Sequence, residues 1–194
     1  MYLIVGLGNP GSTYEYTRHN VGRALLKKLH DQHDFSAWRK SNTAHALVSE
    51  GSLSGCEVRL ALPETYMNNS GKAVLKLLQG RLPEELIVLH DELDLPIGSF
   101  KLSFGKGAAG NKGVASIIEE IQSNQFLRVR IGVGPVSLWG RIKKYTKTGG
   151  GFVISALTAG ERELLKKITP EIFELLCVII TKGRESAMNI ANRK

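Results

Sequence analysis

The chain has 194 residues, a formal net charge of +8 and 42% hydrophobic residues. That length suits one well-buried core and is short for two full domains, and no apolar run approaches the roughly 18 residues needed to span a bilayer, so a membrane protein is not expected. The charge is uneven: residues 1–97 carry 10 Lys/Arg against 11 Asp/Glu, while residues 98–194 carry 16 against 7, an excess that reads either as a phosphate-binding face or as solvated lysines.

Tyr2–Val5 reads as a buried first strand with no basic leader before it, so secretion is not expected. The loop Gly6-Leu7-Gly8-Asn9-Pro10-Gly11 matches the glycine spacing of a dinucleotide-binding turn. Pro10 interrupts it, helical periodicity begins only near Asn20, and Asp31 and Asp34 close a helix rather than a second strand, so nicotinamide or flavin binding is not expected. The glycines serve instead to turn the backbone sharply and present Asn9. Val21, Ala24, Leu25 and Leu29 recur at helical spacing. Strands follow over Ala44–Val48 and Glu57–Leu62, joined by a turn around Gly51–Gly55, and then a helix over Gly71–Leu78 with Asn69 or Ser70 as its cap.

Leu86–Leu89 is a continuous apolar run of the kind found in a strand covered on both faces, and it delivers His90 and Asp91 at its end. Ser99–Ser103 and Leu127–Val133 read as strands around a helix over Ala115–Ile121. A glycine- and lysine-rich loop fills about 135–151, and a last strand, Phe152–Ile154, leads to helices over about Ala159–Ile168 and Glu171–Asn189. Strands alternating with helices predict an α/β fold, a single-domain sandwich with a mixed, largely parallel sheet flanked by helices. Such sheets bind ligands beyond the carboxyl ends of their strands. Cys56 and Cys177, far apart in apolar stretches, suit reduced thiols and a cytoplasmic location.

His19 is the strongest candidate for chemistry. An imidazole takes a proton from water near neutral pH when a partner holds its tautomer and supports the developing cation. Asp91 is the natural partner, since a carboxylate closing an apolar strand needs a hydrogen-bond donor. The competing readings are a structural histidine ahead of a helix and an aspartate capping a turn. His30, His33 and His45 have no comparable setting, and His90 reads as support for the strand end. Asp91, Glu92 and Asp94 lack clustered His or Cys, so no metal is expected. Asn68 lies beside a helix start, where free N–H groups polarise a carbonyl, although a turn or cap role serves as well. Met67 reads as core, or as the adaptable floor of a pocket.

Three motifs carry a resemblance: Gly6-Leu7-Gly8-Asn9-Pro10-Gly11 with Thr17-Arg18-His19-Asn20; Tyr66-Met67-Asn68-Asn69-Ser70-Gly71; and His90-Asp91-Glu92-Leu93-Asp94-Leu95-Pro96. In this order they closely resemble the signatures of bacterial peptidyl-tRNA hydrolase. The resemblance implies a cofactor- and metal-independent esterase that frees tRNA from peptide at the acceptor stem and 3′ end, with no obligate protein partner. It implies His19 as the base and Asp91 as its orienting acid, with Asn9, Tyr14, Tyr66, Met67, Asn68 and Asn111 on the substrate side. Lys101 and Arg130 match tRNA-phosphate positions, Lys143 or Lys144 takes the part of a loop lysine, and Lys112, which falls on the family's asparagine, is read as an alternative contact to the terminal phosphate or ribose. One departure stands out: where the family reads Gly-Gly-His-Asn-Gly, this chain has Ala109-Gly110-Asn111-Lys112-Gly113. That departure, with the basic insertion at 135–151, keeps open a second reading, an RNA-binding protein on the same scaffold with weak or no hydrolase activity.

Overall fold

The computed structural model describes residues 1–135 and 151–191. The strands are β1 (Tyr2–Gly6), β2 (Arg39–Ser41), β3 (Ala46–Leu53), β4 (Cys56–Pro63), β5 (Leu86–Pro96), β6 (Phe100–Phe104) and β7 (Leu127–Gly134). The helices are α1 (Val21–Gln32), α2 (Ser70–Leu78), α3 (Lys112–Ile121) and α4 (Ala159–Ala191). The strands form one seven-stranded sheet in the order β2-β3-β4-β1-β5-β7-β6. The four central strands, β4, β1, β5 and β7, run parallel, while β2, β3 and β6 join antiparallel. The expectation of a largely parallel sheet therefore holds for the centre, and the edges are antiparallel.

Strand alternation divides the core into two layers. Ile4, Ile87, Leu89, Val129 and Ile131 face α1 and α4. Leu3, Val5, Leu86 and Val88 face α2 and α3. Because both faces are covered there, Leu3–Val5 of β1 and Leu86–Leu89 of β5 run apolar without a polar position. The first polar groups along them are Asn9, in the loop after β1, and the buried His90-Asp91, midway along β5.

Several boundaries differ from the sequence reading. β5 continues through His90 and Asp91 to Pro96, with an irregularity between Glu92 and Pro96, so these residues lie within a strand rather than after it. The edge strand β2, short and charged, carries no apolar signal and was not expected. Phe152–Ile154 forms turns, not a strand; its Val153 carbonyl accepts from the backbone of His19 instead of from a sheet neighbour. The last two helices run on as α4 with Pro170 inside, and the departure from helical geometry comes at Gly183, φ 79° and ψ 173°. The hydroxyl of Thr169 donates to the Leu165 carbonyl at 2.8 Å, giving that turn an extra bond beside the proline. Apart from its two end residues, the expected loop at 135–151 falls outside the described residues.

Helix α1 approaches β5 closely through Gly22. A methyl group there would lie 2.1 Å from the Leu89 carbonyl oxygen, and backbone cannot yield as a flexible side chain does. Gly22→Ala should cost about 1–3 kcal/mol of stability in urea unfolding and, because His19 lies just ahead of this contact, lower turnover as well. Unchanged stability would contradict so tight a crossing.

Candidate active site

The site lies where β1 and β5 emerge from the core. After β1 the chain turns through Leu7, Gly8 and Asn9, and Asn20 clasps that turn from the start of α1. The Asn9 N–H donates to Asn20 Oδ1 at 2.8 Å, and Asn20 Nδ2 donates back to the Asn9 carbonyl at 2.9 Å. Asn9 Oδ1 accepts from the Met67 N–H at 3.0 Å. With its oxygen committed, the side chain presents its NH2 group, which has no protein partner among the described residues.

His19 and Asp91 are 9% and 3% exposed, and His19 Nδ1 lies 2.8 Å from Asp91 Oδ2. Against a carboxylate oxygen the ring donates from Nδ1, which leaves Nε2 as a lone-pair acceptor with no protein partner among the described residues. The other oxygen, Asp91 Oδ1, accepts from Asn111 Nδ2 at 2.8 Å. Each oxygen of this buried carboxylate is thus satisfied by a different residue, as burial of a charge demands.

The turn bearing His19 is held from outside the sheet. Its N–H donates to Val153 O at 2.8 Å, and the Arg18 N–H to Ser155 O at 3.2 Å. Arg18 Nη1 donates to Ser155 Oγ and Ala156 O, and Nη2 reaches both oxygens of Glu161 at 2.6 Å. Burial alone would raise the Glu161 carboxyl, but hydrogen bonds from Thr158 and Arg18 outweigh it and hold that group below its usual range. The segment expected as a last strand is therefore the seat of the histidine turn.

Met67 is buried against the N-terminus of α3. A Cβ on Gly113 would sit 2.9 Å from both Met67 Cε and Leu7 Cδ1, so glycine is needed for the thioether to lie there. Tyr14 and Tyr66 meet edge to face, with ring centroids 6.5 Å apart, and Tyr66 is 58% exposed. Asn68 is exposed in the turn before α2, and its amide makes no hydrogen bond among the described residues. Lys101 and Arg130 are register neighbours on β6 and β7. Lys101 is exposed, and Arg130 Nε donates to Glu92 Oε2 at 2.9 Å. Lys112 is exposed at the start of α3, and Lys143 and Lys144 lie outside the described residues.

Asn9, His19, Met67, Asp91 and Asn111 thus converge. Asn111 differs from the substrate contact expected of it, because both ends of its amide are engaged within the protein. Sequence reasoning also passed over Asn20, Arg18 and Arg128. Asn20 stands inside the Thr17–Asn20 motif, where it read as a helix boundary. Arg128, counted only toward the basic total, is buried with Nε and Nη1 unpartnered among the described residues. Together with Ser103, Lys106 and Arg130 it lines a cavity of about 360 Å³. Burial, and then neighbouring Arg130, pull its guanidinium below its usual range.

An imidazole nitrogen without a protein partner among the described residues, backed by a buried carboxylate and beside a fixed amide, is an arrangement chemically able to take a proton from water. A family model described as peptidyl-tRNA hydrolase matches residues 3–194. A peptidyl-tRNA hydrolase of Geotalea uraniireducens is 39% identical over 99% of this chain and 96% of its own length. That of Thermodesulfovibrio yellowstonii is 36% identical with both chains fully covered. The crystal structure of peptidyl-tRNA hydrolase from Acinetobacter baumannii superposes with a TM-score of 0.88 at 32% identity, covering 99% of this chain and 94% of that one. The chain belongs to the peptidyl-tRNA hydrolase family, and its reaction is the hydrolysis of peptidyl-tRNA. The reading as an RNA-binding scaffold without efficient catalysis is the less favoured.

His90 adds a pH signature to the site. It is fully buried, donates from Nδ1 to the Asp91 carbonyl at 2.7 Å, and burial lowers its pKa from 6.5 to about 4 despite Asp91 beside it. Between those values the unfolded chain binds a proton that the folded one refuses, so stability falls as pH drops from 6.5 to 4, by roughly 3 kcal/mol in all. His90→Asn keeps a donor and removes the titration. Chemical denaturation of this variant should show a shallower loss across that window, and an unchanged slope would assign the loss to other groups.

Proposed function

We propose that His19 is the general base of peptidyl-tRNA hydrolysis and Asp91 the acid that orients it. The observation that supports this most directly is the 2.8 Å bond from His19 Nδ1 to Asp91 Oδ2, which aims the free Nε2 away from the core. A water at Nε2 gives the ring a proton as its oxygen bonds to the ester carbonyl carbon, and the carbonyl electron pair moves onto oxygen. Asp91 supports the imidazolium so formed. When the tetrahedral intermediate collapses, the bond to the ribose oxygen of the tRNA 3′ end breaks, and that oxygen takes the proton from the ring. The products are a peptide acid and a tRNA with a free hydroxyl.

Asn9 stabilises the intermediate. Its oxygen is fixed by Met67 and its backbone by Asn20, so its NH2 is set before substrate arrives, which is the condition for effective oxyanion stabilisation. Met67, Asn68, Tyr14 and Tyr66 receive the peptide. An aromatic pair and a thioether suit a substrate whose side chains vary, because they offer apolar area without demanding one shape. Lys101 and Arg130, with Lys112, meet phosphates of the acceptor stem and 3′ end, as do Lys143 and Lys144, and the enzyme works in the cytoplasm.

With a defined peptidyl-tRNA, His19→Ala should lower kcat by about 10²- to 10⁴-fold, and Asp91→Asn should lower it while leaving the fold intact by circular dichroism. Near-wild-type turnover by folded His19→Ala would end this reading. The Lys101→Ala/Arg130→Ala pair should instead raise KM and reduce the slope of log KM against log salt by about one to two phosphate contacts. A weakened kcat with an unchanged slope would remove these residues from the tRNA face.

A further inference from the structure

Asn111 is the first residue before α3, and its side chain does two things at once. Oδ1 accepts from the N–H groups of Gly113 and Val114, both at 3.1 Å, and so caps the helix. Nδ2 donates to Asp91 Oδ1 at 2.8 Å and to the Asp91 carbonyl at 3.2 Å. The orientation of the amide is fixed by chemistry. Turned over, it would set NH2 against two N–H donors and its oxygen against a carboxylate.

The consequence falls on Asp91. A carboxylate held through one oxygen can rotate about its last bond, whereas one held by Asn111 at Oδ1 and His19 at Oδ2 cannot without breaking a charge-assisted bond. A cap alone would not call for this residue, since serine, threonine and aspartate cap as well. The amide is the group that supplies the cap acceptor and the donor to Asp91 together.

We infer that Asn111 is a positioning residue for the reaction: it locks the Asp91 carboxylate so that Oδ2 stays aimed at His19, and it ties that geometry to the N-terminus of α3. This rests on the roles proposed above for His19 and Asp91. Asn111 touches no reacting atom; it acts through Asp91.

Two variants separate positioning from capping. In Asn111→Ser the hydroxyl still caps the helix, but it is one bond too short to reach Asp91 Oδ1. In Asn111→His the ring Nδ1 occupies the place of Nδ2 and donates to Asp91, while the cap acceptor is gone. The expected result is a crossed pattern. Serine keeps the melting temperature and loses roughly tenfold in kcat at unchanged KM. Histidine keeps kcat and loses about 2–4 °C in melting temperature. His19→Ala, measured alongside, tests the underlying reading separately. If it stays active, that reading fails; if it is inactive while Asn111→Ser turns over like the wild type, the positioning role fails. Loss of kcat in Asn111→His in step with its stability would also overturn it, by reducing Asn111 to a cap. Should the serine variant not fold, the histidine variant alone decides between these outcomes.

Discussion

The site depends on one constraint: the Asp91 carboxylate is buried midway along β5, and each of its oxygens must find a donor there. His19 answers for one oxygen and Asn111 for the other. Meeting that demand fixes the histidine's tautomer, points its second nitrogen outward, and anchors the start of α3. A carboxylate in water would impose none of this, because solvent would satisfy it in any orientation.

The rest of the architecture brings those donors within reach. Parallel β1 and β5 are adjacent, so the loop after one and the end of the other open at the same edge. Gly22 lets α1 lie against Leu89, which sets the turn carrying His19 beside Asp91. Arg18 then pins that turn to Ser155, Ala156 and Glu161 from across the chain. On the other side Met67 lies on Gly113, so the start of α3 that Asn111 caps also seats the thioether. Lys101 and Arg130 stand side by side on β6 and β7, with Arg130 bonded to Glu92 of β5.

Much of this was legible in the sequence, and the reasons are local. The apolar runs at β1 and β5 have few polar alternatives, so they read directly as covered strands, and polar motifs placed at their ends mark a site. The pairing of His19 with Asp91 followed from asking what a buried carboxylate needs. What stayed hidden depends on contacts distant in sequence. Phe152–Ile154 has strand-like composition, yet its Val153 carbonyl is taken by the His19 N–H and its Phe152 carbonyl by Ser155. The extent of β5 beyond Leu89 depends on its register with β7 rather than on hydrophobicity. Gly183, not the proline-containing stretch, interrupts α4, because its φ of 79° lies outside the helical region, where glycine carries no Cβ penalty. The double duty of Asn111 was invisible for a similar reason: a cap can be guessed from one segment, but its second bond crosses to another strand.

The tautomer of the His19 ring is read directly by long-range ¹H–¹⁵N correlation spectra of ¹⁵N-histidine-labelled protein. Neutral His19 should carry its proton on Nδ1, with Nε2 bare, and Asp91→Asn should disturb this preference. A neutral ring protonated on Nε2 in the unmodified protein would contradict it, since that nitrogen would then have no lone pair with which to take a proton from water.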